Sequence, residues 1–126
     1  MAGLTVEDLV HVARRSVGGQ VHVRDPGLLA AALARQEAWA FGREVYPTVE
    51  EKAAALLHSL TTTVPLAEGN RPFALAATLV YLARQGRPSE MSEEAAVDLV
   101  TGICTGRLES VQELSLIHIS EPTRPY

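Results

Sequence analysis

Apolar positions recur at helical spacing in separated blocks along the chain, and a polar capping signature stands before most of them. Thr5-Val-Glu-Asp8 sets a hydroxyl and, three residues on, a carboxylate in front of Leu9, Val10, Val12 and Ala13, which predicts a helix over about 5–16. Gly18-Gly19 ends it. Gln20 to Arg24 is extended at most, too brief to build a sheet by itself. Asp25-Pro26 opens a second helix, because proline at the first helical position gives up an N–H that would have no partner there, and Leu28, Leu29, Ala32 and Leu33 form its stripe. Gly42 and Pro47 then interrupt an aromatic-rich stretch, which reads as a flap whose aromatics pack over the core. Thr48-Val-Glu-Glu51 repeats the capping pattern and starts a third helix over about 48–60, with Ala53, Ala54, Leu56, Leu57 and Leu60 turned inward. Thr61-Thr-Thr63 weakens it, since β-branched residues lose rotamer freedom in a helix.

One block differs from the rest. From Phe73 to Ala83 the only clearly polar side chain is Thr78, so a helix over 71–85 has no solvated face and belongs at the centre of a bundle. The run is well short of the ~20 residues that cross a bilayer, so burial within the protein is expected and no membrane is implied. After Gly86-Arg-Pro88, Ser92-Glu-Glu94 caps a fifth helix reaching about Cys104, and Glu109 to Leu114 begins a sixth. No strand pattern outlasts a few residues. The expected fold class is therefore all-α, about six helices around the 71–85 helix.

Composition narrows this picture. A chain of 126 residues supports one core, and 47% hydrophobic residues with only six aromatics describe a core of Ala, Leu and Val. The net charge of −4 argues against a nucleic-acid surface. The lone Cys104 cannot close an internal disulfide, and the first residues lack a signal-peptide pattern, so a cytoplasmic protein is expected. The stretch 115–126, with its Ser-Glu-Pro-Thr run, breaks from the preceding pattern and resembles a peptide read through from adapter DNA. The expected division is a helical domain over 1–114 and a non-native tail over 115–126.

Candidate chemistry gathers in front of the 71–85 helix. Glu68, Gly69 and Asn70 precede it, and a glycine beside a helix N-terminus lets backbone N–H groups meet an anion. An ordinary turn capped by asparagine is the plainer reading of the same residues. His11, His22, His58 and His118 show no metal-ligand spacing. Glu50-Glu51 and Glu93-Glu94 fit first helical turns.

Four segments in order, Val23-Arg-Asp-Pro-Gly-Leu-Leu-Ala-Ala-Ala-Leu-Ala-Arg-Gln36, Lys52-Ala-Ala-Ala-Leu-Leu57, the loop and helix from Val64 to Gly86, and Val100-Thr-Gly-Ile-Cys-Thr-Gly-Arg-Leu108, resemble the death-on-curing (Doc) branch of the Fic family. The resemblance spans about residues 5–114. It implies an all-helical toxin of a bacterial toxin–antitoxin module. The implied activity is transfer of phosphate, or AMP in relatives, from ATP to a protein hydroxyl such as a threonine of elongation factor Tu. The implied cofactors are ATP and Mg²⁺. The implied regulator is an antitoxin whose disordered tail folds as a helix into a groove, and the surroundings of Trp39 and Phe41 are the expected groove.

The family's active loop reads His-x-Phe-x-Asp/Asn-x-Asn-Lys-Arg. Aligned without a gap, the His position falls on Val64, the Phe on Leu66, the acid on Glu68, the Asn on Asn70, the Lys on Arg71 and the Arg on Pro72. Valine cannot accept a proton, and losing a general base costs on the order of 10²–10⁴ in rate. Losing an arginine that clamps phosphate removes charge stabilisation of a similar order. Glu68 keeps a carboxylate for a metal, while Gly69, Asn70 and Arg71 keep an anion-binding corner. Three readings follow: a toxin enzyme with a diverged loop, an inactive Fic-fold module that binds an antitoxin tail or nucleotide, and a misassembled reading of an active relative.

Overall fold

In the computed structural model, residues 3–18 and 20–86 are described. Thr5 caps α1 (Val6–Val17) through a complete capping box: its hydroxyl accepts from the Asp8 amide at 3.1 Å, and the Asp8 carboxylate accepts from the Thr5 amide at 2.9 Å. Asp25 caps α2 (Pro26–Gln36), its side chain accepting from Gly27 N–H at 2.9 Å, and Thr48 caps α3 (Val49–Thr63). Each such cap contributes about 0.5–2 kcal/mol. The fourth helix, α4 (Asn70–Arg84), begins at Gly69 with no side-chain cap.

α3 runs further than its sequence suggests. The Thr62 and Thr63 hydroxyls fold back on the His58 and Ser59 carbonyls at 2.8 and 2.7 Å, so the threonines sit within the helix. It stops at Val64, whose backbone is left-handed (φ 54°, ψ 62°).

The helices pack as a chain of contacts: α2 on α3, α3 most extensively on α4, and α4 on α1, which touches α2. Leu9, Leu29, Leu56, Leu57, Leu60, Leu66, Phe73 and Leu82 are fully buried between them. The helix expected at the centre shares that place. α3 is buried almost continuously from Lys52 to Thr61, its alanines letting neighbours approach on every side. On α4, Leu75, Ala76, Leu79 and Val80 are only half-buried. Four helices are thus described; the helices expected at 92–104 and from 109, and the tail at 115–126, lie outside the described residues.

The aromatic-rich stretch departs from expectation. It forms a short antiparallel hairpin of β1 (Trp39–Ala40) and β2 (Arg43–Glu44), with Trp39 opposite Glu44. Phe41 and Gly42 turn the chain with φ of 53° and 75°, the positive angles that match the twist of a two-residue hairpin loop. Trp39 and Phe41 therefore point into solvent, at 65% and 104% exposure, and do not cover the core; Tyr46 alone of the three packs against it. The hairpin base is anchored on α3. The buried Lys52 ammonium meets Glu44 at 2.6 Å and donates to the Tyr46 carbonyl, while Arg35 lies over the Tyr46 ring at 5.6 Å. Among the described residues no helix is long and apolar enough to cross a membrane.

Candidate functional site

The loop between α3 and α4 is held as a strand by the segment that leads into α2. Val23 and Leu66 form an antiparallel bridge. On either side of it the Ala67 amide donates to the His22 carbonyl at 2.9 Å, and the Arg24 and Asp25 amides donate to the Pro65 carbonyl at 2.8 and 3.3 Å. Leu66 is carried inward and fully buried. The five-residue segment that looked too short for a sheet thus has a function: it supplies the backbone partners of the loop.

Two side chains fix the ends of the loop. The Arg24 guanidinium donates to the Val64 carbonyl from Nε at 3.0 Å and from Nη2 at 2.6 Å, and to the Thr63 carbonyl at 3.1 Å. A cation at the last carbonyls of α3 also complements the negative end of its dipole. Asn70 closes the other end: its Nδ2 donates to the Leu66 carbonyl and its Oδ1 accepts from the Leu66 amide, both at 2.9 Å. Its side-chain amide is therefore committed to the loop. What Asn70 can offer a ligand is its backbone N–H.

Gly69 makes the turn into α4 with φ 78°, and it sits against α1: a Cβ there would lie 2.7 Å from Val17 Cγ2. No side chain caps α4 among the described residues, and in its first turn the Phe73 amide donates to the Gly69 carbonyl at 3.1 Å. Glu68, Arg71 and Pro72 are exposed around this corner. Pro72 stands in the first turn, where proline is tolerated, yet it removes one of the amides an anion could use. Among the described residues no three His, Cys, Asp or Glu side chains converge on a point. Among the described residues Glu68 offers a carboxylate at this corner, which by itself is too few donors to hold a metal ion.

His58 is not turned to the loop chemistry. Its Nδ1 faces Arg35 Nη1 at 3.1 Å, and since a guanidinium can only donate, Nδ1 is the acceptor in this contact. Arg35 also reaches the Ser59 hydroxyl at 2.9 Å.

Toxin Doc of Mycolicibacterium smegmatis (strain ATCC 700084 / mc(2)155) is 38% identical over 101 residues, covering 79% of this chain and 78% of the relative. The chain belongs to the Fic/Doc family. No protein-family model matches it. At positions 64 and 72 this Doc-like chain carries valine and proline. Nothing in the residue pattern announces Arg24 and Asn70 as the loop's anchors; the nearest signal is the adjacency of Arg24 to the Asp25-Pro26 cap.

A second concavity lies between α1 and α4, a cleft of about 500 Å³. Val12, Ala76 and Val80 form its floor, with Asp8, His11, Arg15, Ser16 and Arg84 around it. Arg84 pairs with Asp8 at 3.0 Å across the cleft. That guanidinium, after the Thr5 backbone N–H, holds the Asp8 carboxyl below its ordinary value of 3.8. The Trp39 and Phe41 surroundings expected to form a groove instead form a projecting hairpin tip.

Proposed function

We propose that this Doc-like chain is the toxin-type partner of an antitoxin, retaining an anion-binding corner while lacking the groups that make the family transfer fast. The observation that carries this reading is the loop at Val64–Asn70: its backbone is fully built and tied down, yet the two side chains that would do chemistry are valine and proline. The nucleotide would meet the amides opening α4 and the Arg71 side chain, and Glu68 would hold Mg²⁺ brought by the phosphates. That ion neutralises phosphate charge when bound. Val64 can take no proton from an attacking hydroxyl, so a threonine of elongation factor Tu, or any protein hydroxyl, would meet the phosphate without a base.

The α1–α4 cleft supports the antitoxin assignment. Its Val12, Ala76 and Val80 lining suits the apolar face of an amphipathic helix, and Arg15 on the rim suits an acidic residue beside it, while Arg84 is already paired with Asp8. The inactive-module reading and the slow-enzyme reading differ only in residual rate. Calorimetry with Mg-ATP, together with mass spectrometry of elongation factor Tu incubated with the protein, separates them. Micromolar to millimolar Mg-ATP binding without a mass shift supports the binding module, and a slow mass shift supports the enzyme. Absence of both nucleotide binding and modification rejects the nucleotide corner. A Val64→His, Pro72→Arg variant should then gain transfer activity, because it returns the base, the cation and one backbone amide together.

A further inference from the structure

We infer that Arg24 is a positioning residue for the loop, holding residue 64 in a left-handed conformation that valine by itself disfavours. The inference deepens, and rests on, the reading of this loop as a nucleotide corner. Three carbonyls in succession end on one residue: the Arg24 guanidinium takes those of Thr63 and Val64, and the Arg24 backbone amide takes that of Pro65 at 2.8 Å. The contacts join positions 39 and 40 residues apart in the chain. Arg24 is exposed, so burial does not explain its placement.

Val64 needs such a grip. A β-branched residue at φ 54° brings its Cβ against its own backbone, and conformations of this kind persist only where the surroundings over-determine them. The residue is 42% exposed, so packing supplies only part of that constraint. The guanidinium supplies the rest. Two N–H groups in a rigid fork fix the planes of two successive peptides, which sets both backbone angles between them. Residue 64 is the position of the family's base, so the direction in which a side chain leaves the loop there is set from the strand before α2. A lysine ammonium can donate to these carbonyls but rotates freely and lacks the planar fork that fixes two peptide planes.

A double-mutant cycle tests this. Arg24→Ala should speed hydrogen exchange of the Leu66 and Ala67 amides at least tenfold while leaving the α1 core amides within twofold. Arg24→Lys should recover only a minor part of the protection. In a Val64→Gly background, where a left-handed angle carries no penalty, the effect of Arg24→Ala should shrink at least threefold. Unchanged loop exchange in Arg24→Ala, full recovery by Arg24→Lys, or an equal effect in both backgrounds would each overturn the inference. Mg-ATP calorimetry separates it from the reading beneath it. If the parent chain binds, Arg24→Ala should weaken binding at least fivefold, and an unaltered Kd would overturn the positioning role. If the parent chain does not bind, the nucleotide corner fails, and the exchange cycle still decides the role of Arg24.

Discussion

Gly69→Ala probes the joint between α1 and the loop. The new Cβ would stand 2.7 Å from Val17 Cγ2 and 3.0 Å from Cγ1, on a backbone with φ 78°. Two costs follow, and they are separable. The left-handed angle costs an alanine roughly 1–2 kcal/mol wherever it occurs. The overlap adds about 1–3 kcal/mol, because valine is stiff at χ1 and its neighbours must shift. Reduced freedom of the unfolded chain returns about 0.4–1 kcal/mol. The net loss should be about 2–3 kcal/mol, a fall in Tm on the order of 10 °C. Val17→Ala removes the overlap but leaves the angle, at its own cost of about 1 kcal/mol for a half-buried side chain. Urea unfolding of both single variants and the double variant gives the coupling. The double variant should be more stable than the sum of the singles by about 1–2 kcal/mol. If the two changes add to within ~0.5 kcal/mol, no contact links α1 to the loop at Gly69, and the packing described here is wrong.

Val64→Asn should raise stability by about 1 kcal/mol in chemical denaturation, since asparagine tolerates the left-handed region and Val64 is 42% exposed; a loss would show that its backbone is not strained. Lys52→Ala should cost about 1–3 kcal/mol and expose the hairpin to proteolysis, because it strands the Tyr46 carbonyl and leaves Glu44, a third exposed, without its cation. The Asp8 carboxyl is held down by the Thr5 amide and Arg84, so its contribution is present above pH 3.8 and is lost as acid protonates it. Asp8→Asn should flatten that acid limb of stability against pH. At the other extreme, burial, then Glu37 and Glu44, pushes the Tyr81 phenol up to about 12. Its stabilising preference for the neutral form holds below pH 10.0 and is lost as the pH climbs toward 12, so Tyr81→Phe should blunt alkaline unfolding in that window.

Periodicity and capping chemistry act between residues a few positions apart, and these were open to reading. Thr5, Asp25 and Thr48 stand at the caps their spacing implied, and Pro26 opens α2. The loop was visible as a turn before an apolar helix. Its construction was not visible. Arg24 and Thr63 are 39 positions apart, and no periodic signal links an exposed arginine to the carbonyls it will meet. Asn70 looked like a helix cap or a ligand group; the fold spends it on closing Leu66. The aromatics of the hairpin misled because hydrophobicity predicts burial, whereas positive backbone angles at Phe41 and Gly42 direct the tip away from the body.

The sequence alone determined a helical chain, the starts of α1, α2 and α3, a family, and the absence of a titratable side chain at residue 64. Tertiary structure decided which helix is most enclosed, where a cleft lies, and what holds the loop in shape. The division has a physical cause: caps and stripes are set by neighbours along the chain, while burial and hydrogen bonding across forty residues depend on which surfaces meet after the chain has closed on itself.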